Sequence, residues 1–465
     1  MMRVLLHRLS GRAFALVAFE TALIVAAVAI AAWVRLGANG WDVLIEDGGV
    51  AKALLIALAC QACLYYSDLY DLRHLTDRRE LLIRIVNALA FASFLLAAVY
   101  YWVPSLVIGR GVFMLGAGLV ITFVIGWRVA FDWLCHQVGP RERLLLVGTS
   151  ESAVSLAREL HERRNEIGVE IVGFIDPDAA RVGAPVLNPG VIGTIEDIPS
   201  IVRARSVDRV VVSLADSRGK LPMDKLLEMK LDGVSFDHLA SVYEGYTGKI
   251  AVENLRPSWL IFSAGFKKTR LLSTSKRTLD IVLSIVGLAL ALPLMALIAI
   301  AIRLTSHGPI FYHQQRVGQH GRLFTVHKFR SMRPDAEAQT GAVWANKAGD
   351  SRVTAIGGGL RRFRLDELPQ LWNVLKGDMS FVGPRPERPE FVGELTRQIR
   401  FYGQRHIVRP GLTGWAQVRY TYGASKEDAL QKLQYDLFYI KNVSIALDLF
   451  IILATIKTVL RQRGA

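Results

Sequence analysis

Four apolar stretches open the chain, at residues 13–34, about 50–67, 81–103 and 111–127. Each is long enough to span a bilayer, the last only just. Past residue 140 the pattern changes. "RERLLLVGTSESAVSLARELHERR" (141–164) reads as an apolar strand, a tight glycine turn and an amphipathic helix. "VEIVGFIDPD" and "VDRVVVSL" add buried strands, and "IEDIPSIVRARS" adds a helix. This alternation predicts a parallel sheet with helices on both faces. A fifth apolar stretch, 279–302, is interrupted by Pro293. Further on, Leu368, Leu371, Trp372 and Leu375 recur at helical spacing.

Charge sets the orientation. Arg3, Arg8 and Arg12 precede the first span, and the loop "GANGWDVLIEDGG" after it has no Lys or Arg. Arg73, Arg78 and Arg79 lie in the second loop, Arg110 alone in the third, and Arg128, Arg141 and Arg143 follow the fourth span. The positive-inside rule then places the N-terminus and everything after residue 135 in the cytoplasm. An ordinary fifth span would export a tail that begins with Arg316, Arg322, Lys328, Arg330 and Arg333, the cluster that resists export. Pro293 removes a helix hydrogen bond mid-segment. A helix at 277–303 that enters, bends at Pro293 and returns to the same face meets both facts, provided protein or water satisfies the freed groups.

The 465 residues suggest about three units. They are a four-helix transmembrane region (1–135), a Rossmann-like cytoplasmic α/β domain (141–265) and a mainly α, membrane-associated domain (274–465) that contains the re-entrant helix. A hydrophobic fraction of 52% fits this membrane class. The net charge of +15 is compatible with nucleic acid, anionic lipid or phosphorylated substrates. Three cysteines offer no disulfide framework, and Cys60 and Cys63, inside an apolar segment, read as helix packing. Glu20 inside the first span is read as a protonated acid bonded to a neighbouring helix.

The turn after Val147 is a degenerate dinucleotide fingerprint. Gly148 is its only glycine, with Ser150 and Ala153 at the other two positions. Asp176 could meet a ribose, but its Asp-Pro-Asp turn explains it locally. The domain therefore reads as regulatory or assembly-related, without a cofactor.

Three clusters in the C-terminal domain carry candidate chemistry. These are "HKFRSMRPDAE" (327–337), "RRFRLDELPQLWNVLKGDMSFVGPRPE" (361–387) and "RHIVRPGLTGWAQV" (405–418). Their basic residues sit among Gly, Pro and carboxylates, as in a shaped pocket for a phosphorylated substrate. Asp366 and Glu367, followed by Leu368-Pro369, mark a helix start. The helix dipole and nearby arginines favour an ionised Asp366, able to attack phosphorus or bind a divalent cation. An Asp N-cap and a first-turn Glu bridged to Arg361, Arg362 or Arg364 explain the same residues equally well.

The motifs "KRTLDI", "GPIFYHQQRVGQHGRLFTVHKFRSM", "RLDELPQLWNVLKGDMSFVGPRPE" and "RPGLTGWAQV", with the proline-broken helix, resemble the monotopic polyprenol phosphate phosphoglycosyl transferases, the bacterial sugar transferases. The four spans and Rossmann-like insert resemble the large members that initiate exopolysaccharide or O-antigen assembly. The resemblance implies transfer of a hexose 1-phosphate, glucose or galactose by analogy, from a UDP-sugar to undecaprenyl phosphate, with release of UMP. It implies Asp366 as a covalent nucleophile, Glu367 as a ligand of Mg2+, and phosphate contacts from Arg361 and Arg385. Lys328, Arg330 and Arg409 join that phosphate set from the basic clusters. It further implies an inner-membrane, multi-pass protein, in contact with membrane lipids, forming a homodimer and not binding nucleic acid. Two other readings are a non-catalytic scaffold and an NAD-dependent nucleotide-sugar oxidoreductase. The first would show a broken Asp-Glu dyad, and the second needs a glycine fingerprint and a Tyr-x-x-x-Lys absent from the middle unit.

Overall fold

A computed structural model describes residues 11–37, 45, 48–67, 69–70, 78–107, 109–137, 142–162, 169–212, 223–252, 265–266, 269–333, 352–420, 423 and 425–460. Arg3, Arg8, Arg73 and Arg141, on which the orientation rests, lie outside these residues, as do residues 334–337 of the first basic cluster. The chain forms two compact units, Met1–Thr247 and Gly248–Ala465.

Unit one begins with four apolar helices, α1 (Gly11–Leu36), α2 (Gly49–Tyr66), α3 (Arg78–Trp102) and α4 (Arg110–Gln137). Their apolar windows Ala15–Leu36, Gly49–Tyr66, Leu81–Trp102 and Gly111–Phe131 are each long and apolar enough to cross a membrane. Small and branched residues pack where helices meet, among them Ile24, Ala27, Ala57, Ile85, Ala88, Ala92 and Val124. Cys60 and Cys63 are free thiols buried in this core, as the packing reading had it.

Glu20 is wholly buried and is bonded to a neighbouring helix, through a guanidinium. Arg128 of α4 donates from Nε to Glu20 Oε1 at 2.6 Å, and Tyr70 Oη donates to Oε2 at 2.6 Å. Arg128 Nη1 also donates to the carbonyl of Leu69. In a low-dielectric interior, charges persist when paired and hydrogen-bonded in this way.

An α/β domain follows. Its strands are β1 (Glu142–Val147), β2 (Val169–Ile175), β3 (Val191–Gly193), β4 (Arg209–Val212) and β5 (Ser235–His238). Helices α5 (Glu151–Glu162), α6 (Ile198–Arg205), α7 (Met223–Leu231) and α8 (Leu239–Thr247) connect and flank them. All pairings are parallel, in the order β3-β2-β1-β4-β5, a doubly wound arrangement. Asp176 Oδ1 accepts from the Asp178 amide within its own turn, while Oδ2 accepts from Thr149 Oγ1 on the turn after β1 and from Arg181, so its turn explains only one of its oxygens.

Unit two contains α9 (Arg270–Thr305), then the antiparallel hairpin β6 (Phe311–Val317) and β7 (Leu323–Phe329). Next come α10 (Gly357–Arg362), α11 (Gln370–Lys376), β8 (Ser380–Val382), α12 (Pro389–Gln398), β9 (Gly411–Thr413), α13 (Trp415–Arg419), α14 (Lys426–Lys441) and α15 (Ile445–Leu460). The core gathers Trp415, Tyr402, Phe438, Tyr439 and Ile451. Ile250 and Val252 belong to it, and the Trp415 indole donates to the Gly248 carbonyl at 3.0 Å.

A chain starting at Gly248 should therefore be more stable than one starting at Phe266. Losing two buried aliphatic residues and the indole bond costs about 3–5 kcal/mol. Thermal unfolding in detergent should show a melting point about 10 °C lower for the shorter chain.

Helix α9 has 36 residues and is apolar enough to cross a membrane, with Pro293 inside it. Proline cannot donate to the Ala289 carbonyl, yet the helix continues on both sides. Both ends dock on the same unit. Near the start, Lys276 pairs with Asp448 at 2.7 Å, Arg277 donates to the Val374 and Leu375 carbonyls, and Asp280 accepts from the Phe381 amide. Near the end, Ile298 and Ile302 pack with Phe329 and Leu360. Between these anchors Val286, Leu290, Leu292 and Leu297 are exposed.

Candidate functional site

The carboxylate pair lies in a 3-10 turn, Leu365–Glu367, between α10 and α11. Arg364 enters it in a left-handed conformation, φ 55° and ψ 24°, which reverses the chain after α10. The Glu367 amide donates to the Arg364 carbonyl at 3.2 Å. The α-helix begins only at Gln370, with Pro369 at its cap position. Asp366 is thus not the N-cap that helix-start reasoning expects. With three residues per turn, successive side chains diverge by about 120°. The two carboxylates accordingly have different neighbours.

Glu367 is buried among cations. Its Oε1 accepts from Lys328 Nζ at 3.1 Å and from Arg385 Nη2 at 2.7 Å, and Arg364 approaches Oε2 at 3.9 Å. Burial alone raises the carboxyl pKa, but Arg385 and Lys328 outweigh it and hold Glu367 well below the ordinary range. Asp366 is also buried, yet among the described residues it makes no hydrogen bond or ion pair. Burial and the charge of Glu367 push its pKa up to about 6, against the pull of Lys328, Arg385 and Arg361. At Asp366 burial and the neighbouring carboxylate thus oppose the arginines, yet a pKa of about 6 leaves it mostly ionised near neutral pH. One carboxylate is neutralised by protein cations. The other remains available for new chemistry.

Each cation arrives on a different element. Lys328 stands on β7, opposite Tyr312. Asn373 of α11 fastens that strand, donating to the Thr325 carbonyl at 2.7 Å and accepting from the His327 amide at 3.2 Å. Asn373 lies inside the quoted stretch 361–387, but nothing there singles it out from the other polar positions of the helix. Arg385 stands on the turn Gly383–Pro386 after β8. Strand β8 pairs in parallel with β9, Ser380 opposite Gly411 and Val382 opposite Thr413. A side chain at Gly411 would strike the main chain of Gly383, so this glycine of "RPGLTGW" serves backbone fit. The Arg409 carbonyl lies beside Gly383. Among the described residues, neither the Arg361 nor the Arg409 side chain makes a hydrogen bond or close ion pair, though the Arg361 charge is felt at Asp366.

Arg330 is a correction. It is buried and donates to the carbonyls of His307 and Ser306 at 2.8 and 2.9 Å. It closes the C-terminal end of α9 instead of facing the dyad. Arg316 and Arg405, also counted among the basic clusters, donate to the Pro386 and Arg385 carbonyls.

Among the described residues no cluster of three or more His, Cys, Asp or Glu forms a closed metal cage. The dyad nevertheless fits Mg2+, which is commonly held by one or two carboxylates plus substrate phosphates. Asp366 has no competing partner, and Glu367 Oε2 has only the long contact to Arg364.

Residues 271–462 match the family model for bacterial sugar transferase, and residues 66–228 match that for a CoA-binding domain. The chain is 41% identical over 259 residues to the UDP-N-acetylgalactosamine-undecaprenyl-phosphate N-acetylgalactosaminephosphotransferase of Aeromonas hydrophila, covering 56% of this chain and 60% of that protein. It is 34% identical to the UDP-glucose:undecaprenyl-phosphate glucose-1-phosphate transferase of Xanthomonas campestris pv. campestris, covering 70% and 68%. It is 29% identical to the undecaprenyl-phosphate glucose phosphotransferase of Komagataeibacter xylinus, covering 90% and 84%.

Proposed function

Because the chain belongs to the bacterial sugar transferase family, we propose that it moves a hexose 1-phosphate from a UDP-sugar to undecaprenyl phosphate, releasing UMP, to initiate surface polysaccharide assembly. The observation that carries this reading is the division within the dyad. Glu367 Oε1 is engaged by Lys328 and Arg385, while Asp366 is buried, unpaired among the described residues and next to the same cations.

The reaction follows from these roles. Lys328, Arg361 and Arg385 bind and orient the diphosphate, the main task in phosphoryl transfer. An Asp366 carboxylate oxygen attacks the sugar-bearing phosphorus. The bond from that phosphorus to the bridging oxygen breaks, and UMP departs with the electron pair. The acyl phosphate keeps the sugar. An oxygen of undecaprenyl phosphate then attacks the same phosphorus, frees the Asp366 carboxylate and leaves a lipid diphosphate sugar. Mg2+ held by Glu367, with Asp366 beside it, would neutralise diphosphate charge when bound. The intact Asp366-Glu367 dyad argues against a non-catalytic scaffold, and the degenerate glycine turn after Val147 argues against an NAD-dependent oxidoreductase.

Purified protein in detergent, given undecaprenyl phosphate and a panel of UDP-sugars, tests the reading. Glucose or galactose is expected to transfer, with N-acetylgalactosamine in the panel because one relative is named for it. No lipid-linked product from any UDP-sugar would overturn the assignment.

The site acts at the cytoplasmic face of the inner membrane, where a soluble donor and a lipid acceptor meet. Docking of both ends of α9 on one unit supports a helix that enters and leaves on the same face. Glu394, exposed on α12, offers a probe. A Glu394→Cys variant should resist an impermeant maleimide in intact cells and react after lysis. Reaction in intact cells rejects this topology.

A further inference from the structure

The turn that carries Arg385 has little secondary structure to hold it. Pairing of β8 with β9 ends with the Gly383 amide on the Thr413 carbonyl and the Gly411 amide on the Pro384 carbonyl, each at 2.9 Å. Pro384 and Pro386 contribute no N–H. The carbonyls of Arg385 and Pro386 lie beyond the strand pair and need other donors.

Each is met by an arginine from a different part of the unit. Arg405, in the 3-10 turn Tyr402–Ile407, donates from Nη2 to the Arg385 carbonyl at 3.0 Å. Arg316, near the end of β6, donates from Nη1 to the Pro386 carbonyl at 3.1 Å. The next carbonyl, of Glu387, accepts from the Val317 amide at 3.0 Å. Both guanidiniums are themselves anchored. Arg405 donates to Tyr402 Oη at 2.6 Å and pairs with Asp436 at 2.8 Å, both members of the pair being almost fully buried. Arg316 donates to Gln314 Oε1 at 2.6 Å.

We propose that Arg316 and Arg405 are positioning residues that fix the main chain at 385–386, so that the Arg385 guanidinium reaches Glu367 and the substrate diphosphate. Neither touches substrate. The inference rests on the proposed function only through the role of Arg385. Arginine suits the task because its planar fork serves a carbonyl and a second partner at once, whereas lysine carries a single point charge. Arg405→Lys thus keeps a cation beside buried Asp436 but loses the fork.

The test is a double-variant cycle on the full chain in detergent, reading kcat/KM for the UDP-sugar and the melting temperature. Arg385→Lys and Arg405→Lys should each reduce kcat/KM by about tenfold or more. The double variant should be no worse than Arg385→Lys alone, because Arg405 acts through a group already lost. Arg361→Lys, on α10, should instead multiply with Arg405→Lys. Arg316→Lys and Tyr402→Phe carry the same cycle if Arg405→Lys fails to fold. Multiplying losses between Arg405 and Arg385, or a lower melting point with unchanged kcat/KM, overturns the proposal. If Arg385→Lys alone is fully active, the role given to Arg385 under the proposed function fails, and the positioning role falls with it.

Discussion

An Asp366→Asn variant is expected to lose the exchange of labelled UMP into UDP-sugar by at least about a thousandfold while keeping its fold. Exchange isolates the first half-reaction. It needs only the donor, UMP and the protein, so undecaprenyl phosphate can be left out. Asparagine preserves the shape of the side chain, and no described partner depends on the Asp366 charge. Little stability should change. The amide oxygen cannot form the acyl phosphate, so the loss equals removal of a covalent nucleophile. Glu367→Gln should also fail, for a different reason. It unpairs Lys328 and Arg385, whose charges then sit near each other without their shared anion. Raising Mg2+ should recover part of the Glu367→Gln activity and none of the Asp366→Asn activity. Normal exchange by Asp366→Asn would show the residue to be structural and the covalent route to be wrong.

The N-terminal bundle offers the second large effect. Arg128→Met should destabilise it by about 3–5 kcal/mol, because Glu20 is left buried with no guanidinium beside it. The Leu69 carbonyl loses its donor as well. Thermal unfolding in detergent should fall by about 10 °C. The paired change Glu20→Met with Arg128→Met should recover most of this, since a matched apolar pair is often neutral where a broken ion pair is not. Equal losses in the single and paired variants would mean that the ion pair is not what holds Glu20.

Some of this architecture was legible because it is local. Continuous apolar runs mark the spans, and strand-turn-helix alternation marks the parallel sheet. Long-range pairing was not. Glu20 and Arg128 are 108 positions apart, and nothing near either names the other. Lys328 and Arg330 share the parity that would place them on one face of a strand. The strand stops at Phe329, however, so Arg330 leaves the pleat and turns to the end of α9. Asp366 and Glu367 were found as a pair, but their separate roles come from a 3-10 turn and from burial, which composition does not encode. Arg316 and Arg405 were visible as charge and invisible as carbonyl donors.

The double anchoring of α9 bears on how the protein is made. Asp280, Arg277 and Lys276 fasten its beginning, while Arg330 and the Ile298–Ile302 contacts fasten its end. A molecule whose α9 inserted as a straight crossing would carry one set of anchors on the far side of the bilayer from their partners. Lys276 and Asp448, and Asp280 and the Phe381 amide, would then be unmet, and β8 would lose the contact that precedes the Arg385 turn. Correct insertion is therefore a precondition for a working site. On the proposed topology, misinserted molecules would emerge inert and incompletely folded, so biogenesis itself would act as quality control on the sidedness of the reaction.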